Sequence, residues 1–170
     1  HEKMFQFLHI PLQAGNNRIL SLMKRGYTVE EYVTIIQKIK QVFPPMTIAT
    51  DIICGFPTET AEDFEDTLKL IEVLKPEIVN VSRFWIRPGT DAEKMPQVPA
   101  KEIKRRTKIL MDSFKKISLE QHQSWIGWKG EVLIDAFEDG QFIGRNFAYQ
   151  KIIVAGEFKL GETVFVEIVH

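Results

Sequence analysis

Four stretches of the 170-residue chain carry side chains suited to binding and positioning a ligand. In HIPLQAGNNRIL, His9 and Gln13 stand near the end of an apolar run. Gln13 offers both a donor and an acceptor, as the hydroxyls of a ribose would require, and Ala14 and Gly15 would let a ligand approach the backbone. A lone histidine on an apolar strand is more often a hydrogen-bonded core residue. In MKRGY, Arg25 could clamp a carboxylate or simply complement the dipole of the helix it ends. In TDIICGFPTETAEDF, Asp51 is an acid inside an apolar segment, and because burying a lone carboxylate is costly it needs a partner. Gly55 permits close backbone approach and Pro57 fixes the turn, while Thr58, Glu59 and Thr60 read either as helix capping or as cofactor contacts. In IRPGT, Arg87 sits beside a rigid turn, where it could serve a ligand or fix the loop. No His and Asp arrangement supports a nucleophilic triad, and no Gly-Lys-Thr phosphate loop occurs. These groups bind and position; none is an evident reacting atom, and no catalytic residue is assigned.

The elements that would place these loops are legible from pattern. Residues 5 to 12 read as a buried strand closed by Pro11. A short helix follows over NRILSLMKRG, capped by Asn16 or Asn17 and stopped at Gly26. Thr28 and Glu31 form a capping box for a second helix, with Tyr32, Ile35, Ile36 and Ile39 at helical spacing, and Pro44 and Pro45 end it. Residues 47 to 53 are β-branched and apolar, predicting a strand covered on both faces. A third helix starts near Thr60 with Asp63 three later, its stripe being Phe64, Leu68, Ile71 and Leu74. Residues 78 to 84 make another strand, and IRPGTDAEKMPQVP is a loop. A helix over residues 99 to 123 would bury Ile103, Thr107, Leu110, Phe114 and Ile117, and its other face is basic, with Lys101, Lys104, Arg105, Lys108, Lys115 and Lys116. Strand, helix, strand, helix, strand is the pattern of a parallel α/β sheet, whose ligands gather at the carboxyl ends of the strands. The loops PLQAGNN, CGFPTET and IRPGT should therefore share one rim.

After about Ser124 the texture changes to short alternating runs, with Asp139-Gly140 as a hairpin signal. This predicts a small antiparallel barrel of about five strands, similar in plan to an oligonucleotide-binding fold. The predicted domains are therefore residues 1–123 and 124–170. In GRNFAYQKIIV, Arg145, Asn146, Tyr149 and Lys151 cluster, a set that could stack on unpaired bases and neutralise phosphates, or sit on an ordinary surface.

Composition narrows the classes. The 44% hydrophobic content supports a real core, and a formal charge of -1 rules out a polyanion binder by overall charge, so any nucleic-acid face must be local. The single cysteine, Cys54, excludes an intrachain disulfide framework, suits a reducing cytosol, and leaves too few thiols for an iron–sulfur or Cys-rich zinc site, so no metal ligand is assigned. No run reaches the ~20 apolar residues a bilayer requires, and HEKMFQFLHIP lacks the pattern of a signal peptide. The expectation is a soluble, cytoplasmic protein. The strand-like start suggests a piece of something longer.

Taken together, HIPLQAGNNRILSLMKRGY, TDIICGFPTETAEDFEDTL, VNVSRFWIRPGTDAEKM and GRNFAYQKIIV resemble the methylthiotransferases of the radical S-adenosylmethionine class, over essentially the whole chain. The phrases ATDIICGFPTET and VNVSRF look closest to the archaeal and eukaryotic branch, which converts threonylcarbamoyladenosine in tRNA to its 2-methylthio form. Sister branches act on isopentenyladenosine and on a ribosomal protein. The resemblance implies the C-terminal half of a radical-SAM-type β/α barrel followed by a TRAM domain, the RNA-binding barrel of these enzymes. It implies that Gln13, Arg25, Asp51, Gly55, Phe56 and Arg87 surround the S-adenosylmethionine pocket, and that tRNA is the partner. Such enzymes hold two 4Fe-4S clusters, one of them on a CxxxCxxC motif that this chain lacks. The intact enzyme would cleave S-adenosylmethionine to a radical that abstracts a base hydrogen before sulfur and methyl are installed. The chain alone is expected to bind no cluster, to bind cofactor and tRNA weakly and to be inactive, needing the missing N-terminal part of the same enzyme. Ala14 and Asn16 stand where relatives often carry Ser. An apolar edge at residues 5 to 10 predicts self-association. A stand-alone RNA-binding module is the competing reading.

Overall fold

The computed structural model describes residues 4–170. Its first region comprises β1 (Phe7–His9), α1 (Asn17–Leu22), α2 (Val29–Val42), β2 (Thr47–Cys54), α3 (Ala61–Leu74), β3 (Ile78–Arg83), a 3-10 turn (Asp91–Lys94) and α4 (Ala100–Gln123). The strands form one parallel sheet in the order β1-β2-β3, with Phe7 opposite Thr47 and Asp51 opposite Asn80. The helix starts follow local chemistry. Thr28 and Thr60 each accept a hydrogen bond from the backbone three residues on, and Glu31 and Asp63 bond back to them, closing both capping boxes. Asn16 caps α1, but the helix ends at Leu22 with Met23 as its cap and the chain turns at Lys24, which has a φ of 58°; Gly26 is not its stop.

Alternation along β2 sends Ile48, Thr50, Ile52 and Cys54 to one face. There Ile48, Ile52 and Cys54 join Leu12, Tyr32, Ile36, Phe64, Ile71, Leu110 and Ile117 in the main core. The helices cover only that face. On the other, Thr47 and Ala49 are buried, but Asp51 and Ile53 are half-buried and His9, Asn80 and Ser82 are exposed, so the expectation of a strand covered on both sides holds over residues 47–50 and fails beyond them. Nor is residues 5 to 12 a buried strand: β1 has three residues and a partner on one side only, which leaves Leu8 38% exposed.

The second region holds β4 (Lys129–Glu138), β5 (Gln141–Arg145), β6 (Lys151–Val154) and β7 (Thr163–Glu167), an antiparallel sheet in the order β6-β5-β4-β7. Asp139 and Gly140 both have positive φ, 49° and 78°, which matches the twist of a two-residue hairpin between β4 and β5. Four strands rather than five are present among the described residues, and β6 and β7 are the two unpaired edges, so the sheet is open rather than closed into a barrel. Its core is small, with Val132, Ile134 and Val154 at the centre and Trp128, Phe142 and Phe158 against them.

The loop between β5 and β6 docks on the amino ends of the parallel strands. Gln6 N–H donates to the Phe147 carbonyl at 2.8 Å, Thr47 Oγ1 donates to the Ala148 carbonyl at 2.6 Å, and Gln150 Nε2 donates to Thr47 Oγ1 at 2.9 Å. The Tyr149 ring lies 5.0 Å from those of Phe5 and Phe7.

Candidate functional site

At the carboxyl end of β2 the chain makes the turn that leads to Thr60. Gly55 has a φ of 78°, and a Cβ built there would come within 2.4 Å of Ile103 Cγ1 on α4, so both conformation and space require glycine. Glu59 folds back to accept the Gly55 N–H at 3.0 Å. Arg106, also on α4, donates Nη1 to Glu59 Oε2 at 2.7 Å and to the Glu59 carbonyl at 2.9 Å, and Nε to Glu102 at 2.8 Å. Both Glu59 and Arg106 are 5% exposed. Burial pushes the Glu59 carboxyl up from its ordinary value, against the pull of Arg106 and the Gly55 N–H. Burial also works against the Arg106 cation, but the two carboxylates on it outweigh that and hold its pKa up. A guanidinium between two carboxylates thus stays charged, and Glu102, held at about 2 by Arg105 and Arg106, supplies the firm countercharge.

From the other side Arg18 on α1 donates to the Asp63 carboxylate and, at 2.8 Å, to the Thr58 carbonyl. Burial would raise Asp63, but Arg18 and Thr60 draw it below its ordinary value. Thr58, with φ of 66°, donates its N–H to the Pro96 carbonyl at 3.0 Å. The turn is therefore braced from α1, from α4 and from the segment before α4. Position alone in the sequence did not single out Arg18 or Arg106.

The loop after β1 returns to β2, where Gln13 bridges Ile52: its N–H donates to the Asp51 carbonyl and its carbonyl accepts from Ile53. Gln13 has a φ of 75° and is 7% exposed, yet its carboxamide has no hydrogen-bond partner among the described residues. Gly15 serves packing rather than a ligand, because a Cβ there would meet the Thr67 Cα at 2.6 Å. Asp51 has the partners its position demanded. Its Oδ1 accepts from His9 Nε2 and from Asn80 Nδ2, each at 2.9 Å, linking the three strands across the open face.

Phe56 is 6% exposed and packs edge-on against Phe84 at 5.2 Å, so it builds the base of the turn. Arg87 is exposed at the loop after β3, where Thr90 N–H and Oγ1 both donate to its carbonyl. Arg25 lies beyond the end of α1, beside a surface cleft of about 270 Å³ lined also by Asn17, Ser21, Tyr27 and Glu31. Its neighbour Lys24 pairs with Asp91, which ties this turn to the loop after β3. Gly55 and Arg87 thus follow the carboxyl ends of adjacent strands, whereas Gln13 lies lower, level with Ile52 and next to Asp51, which is three strand residues, or about 10 Å, before Cys54.

The residues expected to face RNA occupy the opposite end of the sheet. Asn146 has no exposed surface; its Oδ1 accepts the N–H groups of Ala148 and Gln150, each at 3.0 Å, so it shapes the loop and cannot touch RNA. Arg145 pairs with Asp135 at 3.1 Å and stacks over Tyr149 at 4.6 Å. Lys151 pairs with Glu138. Thr47, where this loop docks, lies seven strand residues from Cys54, or about 23 Å.

Cys54 is fully buried, and burial pushes its thiol up to about 12, which makes it a small apolar core residue. Among the described residues no group of three or more His, Cys, Asp or Glu side chains could hold a metal ion.

Residues 2–71 match the family model described as the Radical SAM superfamily. The chain is 40% identical over 168 residues to the "Probable threonylcarbamoyladenosine tRNA methylthiotransferase" of Archaeoglobus fulgidus, covering 98% of this chain and 39% of that protein. It is 42% identical over 160 residues to the tRNA-2-methylthio-N(6)-dimethylallyladenosine synthase of Pelotomaculum thermopropionicum (92% and 36%), and 40% identical over 156 residues to the human threonylcarbamoyladenosine tRNA methylthiotransferase (91% and 27%). The chain thus spans two fifths or less of the length of these relatives. In fold it is similar to the radical SAM enzyme coproporphyrinogen III oxidase (HemN) of Escherichia coli, with a TM-score of 0.58 over 72% of this chain and 33% of that one at 16% identity. Loop order and identity of about 40% along almost the whole chain make it similar to the radical SAM methylthiotransferases, with the superfamily match on residues 2–71.

Proposed function

We propose that this chain is the cofactor- and RNA-holding part of a tRNA methylthiotransferase that converts threonylcarbamoyladenosine to its 2-methylthio derivative. The observation that carries the reading is identity of about 40% running through both sheets rather than through the parallel sheet alone, since it covers 98% of the chain. Residues 1–123 would be the C-terminal half of a radical SAM barrel and 124–170 a TRAM unit. The pocket would lie on the rim of Gly55 and Arg87, with Arg25 at its margin and Gln13 and Asp51 below.

The residues fit S-adenosylmethionine. Gln13 is largely buried, and its carboxamide, with no hydrogen-bond partner among the described residues, is able to bond both hydroxyls of a ribose. Arg87 offers an exposed cation to a carboxylate, and Asp51 Oδ2 has no hydrogen bond from the described residues, while Gly55, buried with its N–H held by Glu59, shapes the turn beside them. When bound, the cofactor supplies the methyl group and the hydrogen-abstracting chemistry. A 4Fe-4S cluster does not fit here, because the one thiol is buried in the core. The isolated chain would therefore bind cofactor and tRNA without turnover, in the cytoplasm where tRNA is modified. No helix is long and apolar enough to cross a membrane among the described residues.

A second reading has its own observation: the 42% identity to a dimethylallyladenosine synthase. Nucleoside analysis of tRNA from cells lacking the gene separates the two. Loss of 2-methylthio-threonylcarbamoyladenosine supports the first, loss of the 2-methylthio-isopentenyl nucleoside supports the second, and retention of every methylthiolated nucleoside rejects both.

A further inference from the structure

The residues after β3 alternate in direction. Phe84 donates its N–H to the Cys54 carbonyl at 2.8 Å and turns its ring inward against Phe56. Trp85, the next residue, is 83% exposed, the largest exposure of any large hydrophobic side chain among the described residues. The loop that carries it is braced: Thr90 bonds to the Arg87 carbonyl through N–H and Oγ1, and the Gly89 N–H donates to Glu93 at 2.8 Å. Arg83, two residues earlier and so on the same side by strand alternation, is exposed and, among the described residues, has neither a carboxylate nor a hydrogen-bond partner for its side chain. The contrast with the second sheet is direct, since Arg145, Lys151 and Lys129 there are all committed to Asp135, Glu138 and Glu167.

We propose that Trp85 is a stacking platform for an unpaired RNA base at the cofactor rim, with Arg83 beside it neutralising a neighbouring phosphate. The proposal rests on the tRNA reading above and names where that substrate is held. A π-face open to solvent next to an uncommitted guanidinium is what single-stranded RNA recognition uses, and stacking tolerates any base. Position supports it too. A base to be modified must reach the rim, whereas the loop of Arg145 and Tyr149 is at the far end of the sheet.

The test is binding of an anticodon stem–loop oligoribonucleotide to the full chain, followed by anisotropy at several salt concentrations, with S-adenosylmethionine binding measured in parallel by calorimetry. Trp85→Leu, which keeps an apolar side chain without a π-face, should weaken RNA binding by about fivefold or more. Trp85→Phe should stay within about threefold of the parent, and Arg83→Gln should reduce the salt slope by about one. Trp85→Leu should leave S-adenosylmethionine binding unchanged. Parental RNA affinity in Trp85→Leu overturns the platform while the tRNA reading stands. A parent that binds S-adenosylmethionine but no RNA overturns both. Loss in Trp85→Leu of a concentration-dependent mass, with RNA affinity unchanged, would assign the ring to contact between copies and likewise overturn the proposal.

Discussion

Replacing Arg106 with methionine tests whether α4 holds the turn at Gly55. In the parent its guanidinium satisfies Glu59, the Glu59 carbonyl and Glu102, at 2.7 to 2.9 Å. Methionine of similar length leaves Glu59 buried with the Gly55 N–H as its one remaining bond. Removing one partner of a buried ion pair costs about 3–5 kcal/mol, a large part of the ~5–15 kcal/mol that holds a typical domain together. The carboxyl, already pushed up by burial, can take up a proton, and that limits the loss. The sign follows. A folded-state pKa raised above the unfolded value contributes stability below the unfolded value and loses it as pH rises. The cost of Arg106→Met should therefore be larger at pH 8 than at pH 5, by up to about 1.4 kcal/mol for each pH unit across which Glu59 titrates. Adding Glu59→Gln removes the lone charge and keeps an acceptor for Gly55, so the double variant should recover roughly half of the loss. Urea unfolding followed at the helical circular dichroism band measures all three chains. A single variant within about 1 kcal/mol of the parent, or a double variant less stable than the single, would refute the reasoning.

Three further outcomes follow. Gly55→Ala should cost about 2–4 kcal/mol from left-handed backbone and the 2.4 Å approach to Ile103, while Gly26→Ala, with open space around it, should stay within about 0.5 kcal/mol in the same unfolding assay. On acidification, Glu102 (about 2 against an ordinary 4.5) and Asp63 lose their ion pairs only below the normal carboxylate range, so urea midpoints should fall between about pH 4.5 and 2, and Glu102→Gln should flatten that slope; Glu59, shifted upward, acts in the opposite sense at higher pH. The exposed edge at β1, with Leu8 38% and Phe5 39% exposed, should give a mass that rises with concentration in sedimentation, and a constant monomer mass would contradict it.

Most of the fold was readable because its signals are local. Both Thr capping boxes, the Asn16 cap and the Asp139-Gly140 hairpin depend on residues within four positions of one another. Asp51 announced that it needed partners, but only strand register says they are His9 and Asn80. Arg106 escaped notice because Glu59 is 47 residues away; its one local trace is that it falls beside Thr107 and Leu110 on the buried side of α4 rather than with the exposed lysines. Gly15 looked like space for a ligand, whereas the neighbour that needs that space, α3, comes from far along the chain. The basic-aromatic cluster near Tyr149 likewise has partners that its sequence did not announce: Asp135 and Glu138 pair with Arg145 and Lys151, and Phe5 and Phe7 pack on Tyr149, none of them adjacent in sequence.

The claim on which the account turns is that the carboxyl rim of the parallel sheet is the cofactor pocket. Hydrogen–deuterium exchange of the full chain with and without saturating S-adenosylmethionine tests it directly. Added protection should fall on residues 12–15, 54–58 and 84–90, with residues 145–151 unchanged. Protection confined to the β5–β6 loop, or none at any rim segment at a concentration where calorimetry shows binding, would contradict it.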